Sequence, residues 1–158
     1  MRRTIAGLAA VLMLMVVVQF FLAGSGAFDT APNDEAFRPH RTLGFLTVLL
    51  ALLTTLVTAL ARMPGRLVGM AGLFTGLGIA QPVIATVAGA FGDTGGTTTA
   101  GQIVFGLHAV NGLVMMGVAG RILRRARELP NSPAPTARAA DDSARTSKPA
   151  SGSAQPAS

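Results

Sequence analysis

Four long, mostly apolar stretches with few charged side chains dominate this 158-residue chain. A helix that crosses a bilayer needs roughly 20 mostly apolar residues. Thr4–Ala27, His40–Ala61 and Leu67–Phe91 meet that requirement, and Gly101–Leu123 meets it if Arg121 snorkels. In hydrocarbon every backbone polar group needs an internal partner, so such stretches form helices. Half of the residues are apolar and 13% are charged, against about 25% charged in an ordinary soluble domain. The expected fold is therefore all-α: a transmembrane four-helix up-down bundle over residues 1–127, followed by a disordered tail. The connections are Phe28–Pro39, Arg62–Arg66 and Gly92–Ala100. They are short enough to make consecutive helices antiparallel neighbours.

Charge sets the expected orientation. One end of the bundle collects Arg2, Arg3, Arg62, Arg66, Arg121, Arg124, Arg125 and Arg127; the other has Arg38 and Arg41. The positive-inside rule places the first group, and both termini, on the cytoplasmic side of a bacterial inner membrane. Arg121, Arg124, Arg125 and Arg127 are expected beside anionic lipid headgroups. Arginines that flank apolar segments give no basic patch for nucleic acid. Arg2-Arg3, an apolar run and Ser25-Gly-Ala27 also match a signal peptide. The run is longer than the usual ~7–15-residue core of one, so an uncleaved span is expected. Residues 128–158 are rich in Pro, Ala and Ser and poor in large apolar residues, a composition that cannot offset its ordering entropy. With no cysteine, disulfides, thiolate catalysis and Cys-ligated metals are excluded. No phosphate-binding loop, zinc spacing or nucleophile motif is present. Asp29, Asp34, Glu35 and Asp93 read as solvated loop charges, and no catalytic residue is assigned.

Inside the spans, Gly65-x-x-x-Gly69 and Gly72-x-x-x-Gly76 offer a smooth face for a neighbouring helix, expected to serve packing within the chain. The threonines of the second span are expected to bond their own backbone carbonyls. Pro82 should kink the third span and free the carbonyl of Gly78, which Gln81 or a water would satisfy. Pro39 suits the first turn of a helix, although Asn33 or Asp34 could cap one that begins earlier.

The chain contains two histidines, and each opens the same pattern: His40-Arg-Thr-Leu-Gly44 and His108-Ala-Val-Asn-Gly112. The span before each carries one glutamine in a similar frame, Gln19-Phe-Phe-Leu-Ala23 and Gln81-Pro-Val-Ile-Ala85. The bundle thus reads as a duplicated helical hairpin with a pseudo-two-fold axis along the membrane normal. Polar residues at membrane depth are functional candidates. Facing imidazoles could hold haem iron axially. Gly44 and Gly112, one turn on, would let a flat macrocycle approach the backbone. Gln19, Gln81 and Asn111 would form the surrounding hydrogen bonds, to a propionate, a quinone carbonyl or the free imidazole nitrogens. Depth counting opposes this pairing. His40 lies 22 positions before Arg62 and His108 only 13 before Arg121, an offset of about 13 Å at 1.5 Å per residue, or about 8–9 Å, part of which tilt could absorb, if the fourth span ends at Arg124 or Arg125.

Gln19-Phe-Phe-Leu-Ala23, His40-Arg-Thr-Leu-Gly44, Gln81-Pro and Leu107-His-Ala-Val-Asn111 resemble the pattern of a family of small bacterial four-helix membrane proteins known only as a domain of unknown function. The resemblance spans roughly residues 4–125. One histidine per hairpin also distantly resembles haem A synthase and other b-type haem bundles, which implies haem b as a cofactor. Two functions stay open: a non-catalytic structural or accessory membrane protein, or a b-type haem-binding or quinone-contacting electron-transfer module using His40 and His108.

Overall fold

The computed structural model describes residues 1–92 and 98–128. The proposed tail, and residues 93–97 of the glycine-rich connection, lie outside the described residues. The elements are α1 (Arg2–Ala27), the short α2 (Asn33–Ala36), α3 (Arg38–Leu60), α4 (Gly65–Ala90) and α5 (Thr99–Glu128). The four long helices are each long and apolar enough to cross a membrane. They form a multi-pass bundle, with no strand among the described residues.

Local chemistry fixes the helix ends. Pro39 occupies the first turn of α3, where a missing N–H costs nothing. α2 is a separate turn that starts after Pro32, without a side-chain cap. The Thr98 hydroxyl accepts the Gly101 N–H at 3.1 Å and caps α5. α3 ends in a Schellman turn: Met63 N–H donates to Thr58 O at 3.1 Å and Arg62 N–H to Ala59 O at 3.0 Å. This turn puts Arg62 at φ 49°, a left-handed conformation that glycine adopts more cheaply. α5 differs most from expectation. It runs through the arginines to Glu128, because Arg and Ala continue a helix well and long side chains can carry their charge away from hydrocarbon.

α1 packs against α3 and α5, and α4 packs against the same two helices, closing a ring. α1 lies diagonally opposite α4, and α3 opposite α5. The core repeats along the chain. Ile5, Ala9, Leu12 and Val16 are buried on α1; Leu67, Ala71, Phe74 and Gly78, each 62 positions on, are buried on α4. Thr47, Ala51, Thr54 and Thr58 are buried on α3; Met115, Ala119, Ile122 and Ala126, each 68 positions on, are buried on α5. The expected hairpin duplication is thus also a duplication of buried positions.

The threonines behave as expected. Thr47, Thr54 and Thr55 each donate to the carbonyl four residues back at 2.8–2.9 Å, and Thr58 to the Thr55 carbonyl at 2.8 Å. Thr55 and Thr75 also join α3 to α4, their hydroxyl oxygens 3.0 Å apart. The small-residue face of α4 does not behave as expected. A Cβ at Gly65, Gly69 or Gly76 would meet nothing within 4 Å, and one at Gly72 only Thr55 Cγ2 at 4.0 Å. That face looks out of the bundle. Close packing occurs instead at Gly78, where a Cβ would lie 3.2 Å from Val48 Cγ2 and 3.5 Å from Met115 Cε.

Candidate cofactor site

The two histidines come together. Their ring centroids are 6.0 Å apart, with planes inclined at 45°. The expected 13 Å depth offset is therefore wrong, and the helix ends explain why. His40 precedes the last residue of α3, Leu60, by 20 positions; His108 precedes the last residue of α5, Glu128, by 20. Counting to Arg121 stopped two turns short of where α5 ends.

Each imidazole is held in the same way. His40 Nδ1 lies 3.1 Å from the main-chain oxygen of Gln19, and His108 Nδ1 lies 3.2 Å from that of Gln81. A carbonyl oxygen only accepts, so Nδ1 carries the proton and donates in both rings. A neutral imidazole then has a bare lone pair on Nε2. No described residue hydrogen-bonds either Nε2. Both rings thus have fixed orientations and tautomers and present an unused acceptor. This is the usual preparation of a metal-ligating histidine.

The glutamines contribute their backbones to the histidines and their side chains to the glycines. A Cβ at Gly44 would sit 3.0 Å from Gln19 Nε2, and one at Gly112 would sit 3.5 Å from Gln81 Nε2 and 3.0 Å from Phe20 Cζ. The clearance at the glycines holds these side chains, not a vacant slot for a flat ring as expected. The carboxamide oxygens of Gln19 and Gln81 are both buried without a hydrogen-bond partner. The seam therefore collects four unsatisfied acceptors: two imidazole nitrogens and two amide oxygens. The two amide oxygens are the buried ones, and unpaired buried acceptors are costly.

Asn111 makes no hydrogen bond to a histidine. Its Nδ2 donates to Leu77 O at 2.8 Å, tying α5 to α4 one turn before Pro82. The expected Gln81 side-chain bond to the Gly78 carbonyl is not among the bonds formed; the tie falls on the Leu77 carbonyl and comes from the adjacent helix α5. Two phenylalanines belong to the site and were not singled out from sequence. Phe105 stacks on His108 at 5.4 Å with planes 5° apart, and Phe37 meets His40 edge-on at 6.4 Å. The signal was present, since the full repeat is Phe-x-x-His-x-x-x-Gly in both halves. Among the described residues no cluster of three or more His, Asp or Glu side chains forms a metal site.

Away from the seam, Arg41 bonds the side chain of Asp34 at 3.1 Å and also its main-chain oxygen. At the opposite end Arg2 donates to Arg127 O at 3.3 Å, and Arg125 lies 3.6 Å from Glu128.

The model of a family of unknown function, DUF6220, matches residues 19–89. The matched stretch is similar to that family from Gln19 to just past Ala88, and so takes in Gln19, His40, Gly44 and Gln81 but ends before His108. No curated protein and no solved structure matches the chain.

Proposed function

We propose that this membrane protein is an electron-transfer module that holds a b-type haem between His40 and His108. The observation that carries the reading is the 6.0 Å separation of two imidazoles with matched Nδ1 anchors. Two rings bound through Nε2 at about 2 Å per bond bring their centroids to about 6 Å. Haem, when bound, would supply one-electron chemistry. His40 and His108 would hold the iron. Gln19 and Gln81, through their carbonyls, hold both rings by Nδ1 and would leave Nε2 for the iron. The side chains in the glycine clearance are the free ends of Gln19, Gln81 and Phe20. The two amides give up no bond by their oxygens when they swing aside.

The optical spectrum of the purified full chain, as isolated and after haem addition, tests the reading. A Soret band lost in both His40→Ala and His108→Ala is the expected result. A protein that stays colourless in excess haem rules it out.

A second reading has support of its own. The Nδ1 bonds and the packed amides form a seam that ties each hairpin together without a cofactor. On that reading the chain is a non-catalytic structural or accessory protein, and each histidine is worth about 0.6 kcal/mol of bundle stability. The arginine end is assigned to the cytoplasmic face of a bacterial inner membrane by its charge. Arg121, Arg124, Arg125 and Arg127 then lie among anionic headgroups.

A further inference from the structure

The two phenylalanines of the Phe-x-x-His repeat are placed differently. α5 runs unbroken from Thr99, so Phe105 and His108, three residues apart on one helix, share a face. Their rings lie flat on one another, with centroids 5.4 Å apart and planes 5° apart. Phe37 stands instead at the break between α2 and α3. Its ring packs beside Gly26, where a Cβ would meet Phe37 Cδ1 at 3.1 Å. It therefore meets His40 edge-on, at 89° and 6.4 Å.

One hydrogen bond does not fix a ring. The bond to Gln81 O holds His108 at Nδ1 alone, 3.2 Å from its acceptor. A carbonyl oxygen accepts over a broad range of directions, so the imidazole can still tilt about that atom. The face of Phe105 removes this freedom, because offset stacking is lost when either ring turns. His40 has the same kind of anchor, 3.1 Å from Gln19 O, but its phenylalanine offers no flat face. Phe105 is 53% exposed, so the bundle core gains little from its ring.

We propose that Phe105 is a positioning residue, whose face sets the plane in which His108 presents Nε2. The 45° inclination between the two imidazoles then combines one plane held by a flat partner with one that can adjust. For its purpose the inference rests on the haem reading, in which the protein tunes the iron through its axial ligands. The stack itself belongs to the haem-free chain and is measurable there, so the two can fail separately.

The test begins with nuclear magnetic resonance of the haem-free full chain in detergent. Two histidines give two sets of imidazole signals, and His40→Ala assigns them. An aromatic face shields the protons above it, and an aromatic edge does not. The His108 ring protons are therefore expected upfield of those of His40. Phe105→Leu, which keeps the apolar bulk without the flat face, should remove that displacement, and Phe105→Tyr should keep it. Phe37→Leu should leave the His108 signals in place. In the haem-loaded chain, the largest g value of the low-spin ferric signal in electron paramagnetic resonance follows the angle between the axial planes. It should shift in Phe105→Leu and return to the parent value in Phe105→Tyr. Thermal melting of each variant separates a turned ring from a lost fold. No upfield displacement in the parent chain, or one that survives in Phe105→Leu, overturns the proposal. So does a ferric signal identical in the parent and in Phe105→Leu. A chain that takes up no haem yet shows the displacement, and loses it in Phe105→Leu, supports the positioning and rules out the haem.

Discussion

A methyl group added at different glycines of this chain has opposite consequences. At Gly26 a Cβ would lie 2.9 Å from the Ala36 carbonyl oxygen and 3.1 Å from Phe37. Backbone cannot swing aside as a side chain can. Gly26→Ala should therefore cost about 1–3 kcal/mol, the usual penalty of overpacking, and lower the melting temperature in detergent. Gly69→Ala adds its methyl where nothing lies within 4 Å. It should leave stability level or raise it by up to about 1 kcal/mol through helix propensity. Equal melting temperatures for the two variants would contradict the packing at the α1–α2 corner. Asn111 gives a third case. Asn111→Leu strips the Leu77 carbonyl of its cross-helix donor, and should cost about 0.6–1.7 kcal/mol on the scale measured for hydrogen bonds between membrane helices.

Helix ends carry the next level of information. Arg62 holds a positive φ within the Schellman turn that ends α3. Arg62→Gly should relieve that conformation and stabilise the hairpin by up to about 1 kcal/mol, seen as a higher melting temperature. No gain would mean that the arginine repays its strain in some other way. The existence of all four long helices was legible in their apolar length, and the hairpin repeat in the spacing of Gln19, His40, Gln81 and His108. The end of α5 was not. Arg121 interrupts an apolar run, but it does not interrupt a helix, since its backbone hydrogen bonds are indifferent to the side chain's charge. That misplaced end alone turned a matched histidine pair into an apparent mismatch. The outward face of Gly65, Gly69 and Gly76 was illegible for a different reason. Small residues permit close approach, but the larger pattern of burial decides which face is approached. The glutamine backbones as imidazole anchors were also hidden, because sequence advertises side chains and not carbonyls.

For the bundle as a whole, the ring order places α5 against α1 as closely as it joins the helices of each hairpin. Arg2 already reaches the carbonyl of Arg127, at 3.3 Å. A permuted chain that begins at Gly65, joins residue 128 to residue 2 through a short flexible linker and ends at Ala61 should therefore assemble the same ring. Expression in membranes and a thermal melt near that of the parent would bear this out; a permutant that fails to insert would show that the order of hairpins matters beyond their contacts.

The matched anchoring of the two histidines has a consequence for ancestry. Each hairpin supplies one imidazole, the carbonyl that orients it and one glycine, and the two imidazoles meet across the axis. A single hairpin could nevertheless build the whole seam against its own twin, because a two-fold interface is self-complementary. The connection between α3 and α4 stands where two such hairpins would be joined in one chain. Within one chain the halves need not be identical, and Phe20 and its counterpart Pro82 differ, so the covalent chain has what identical partners are denied: two unequal flanks around one axis.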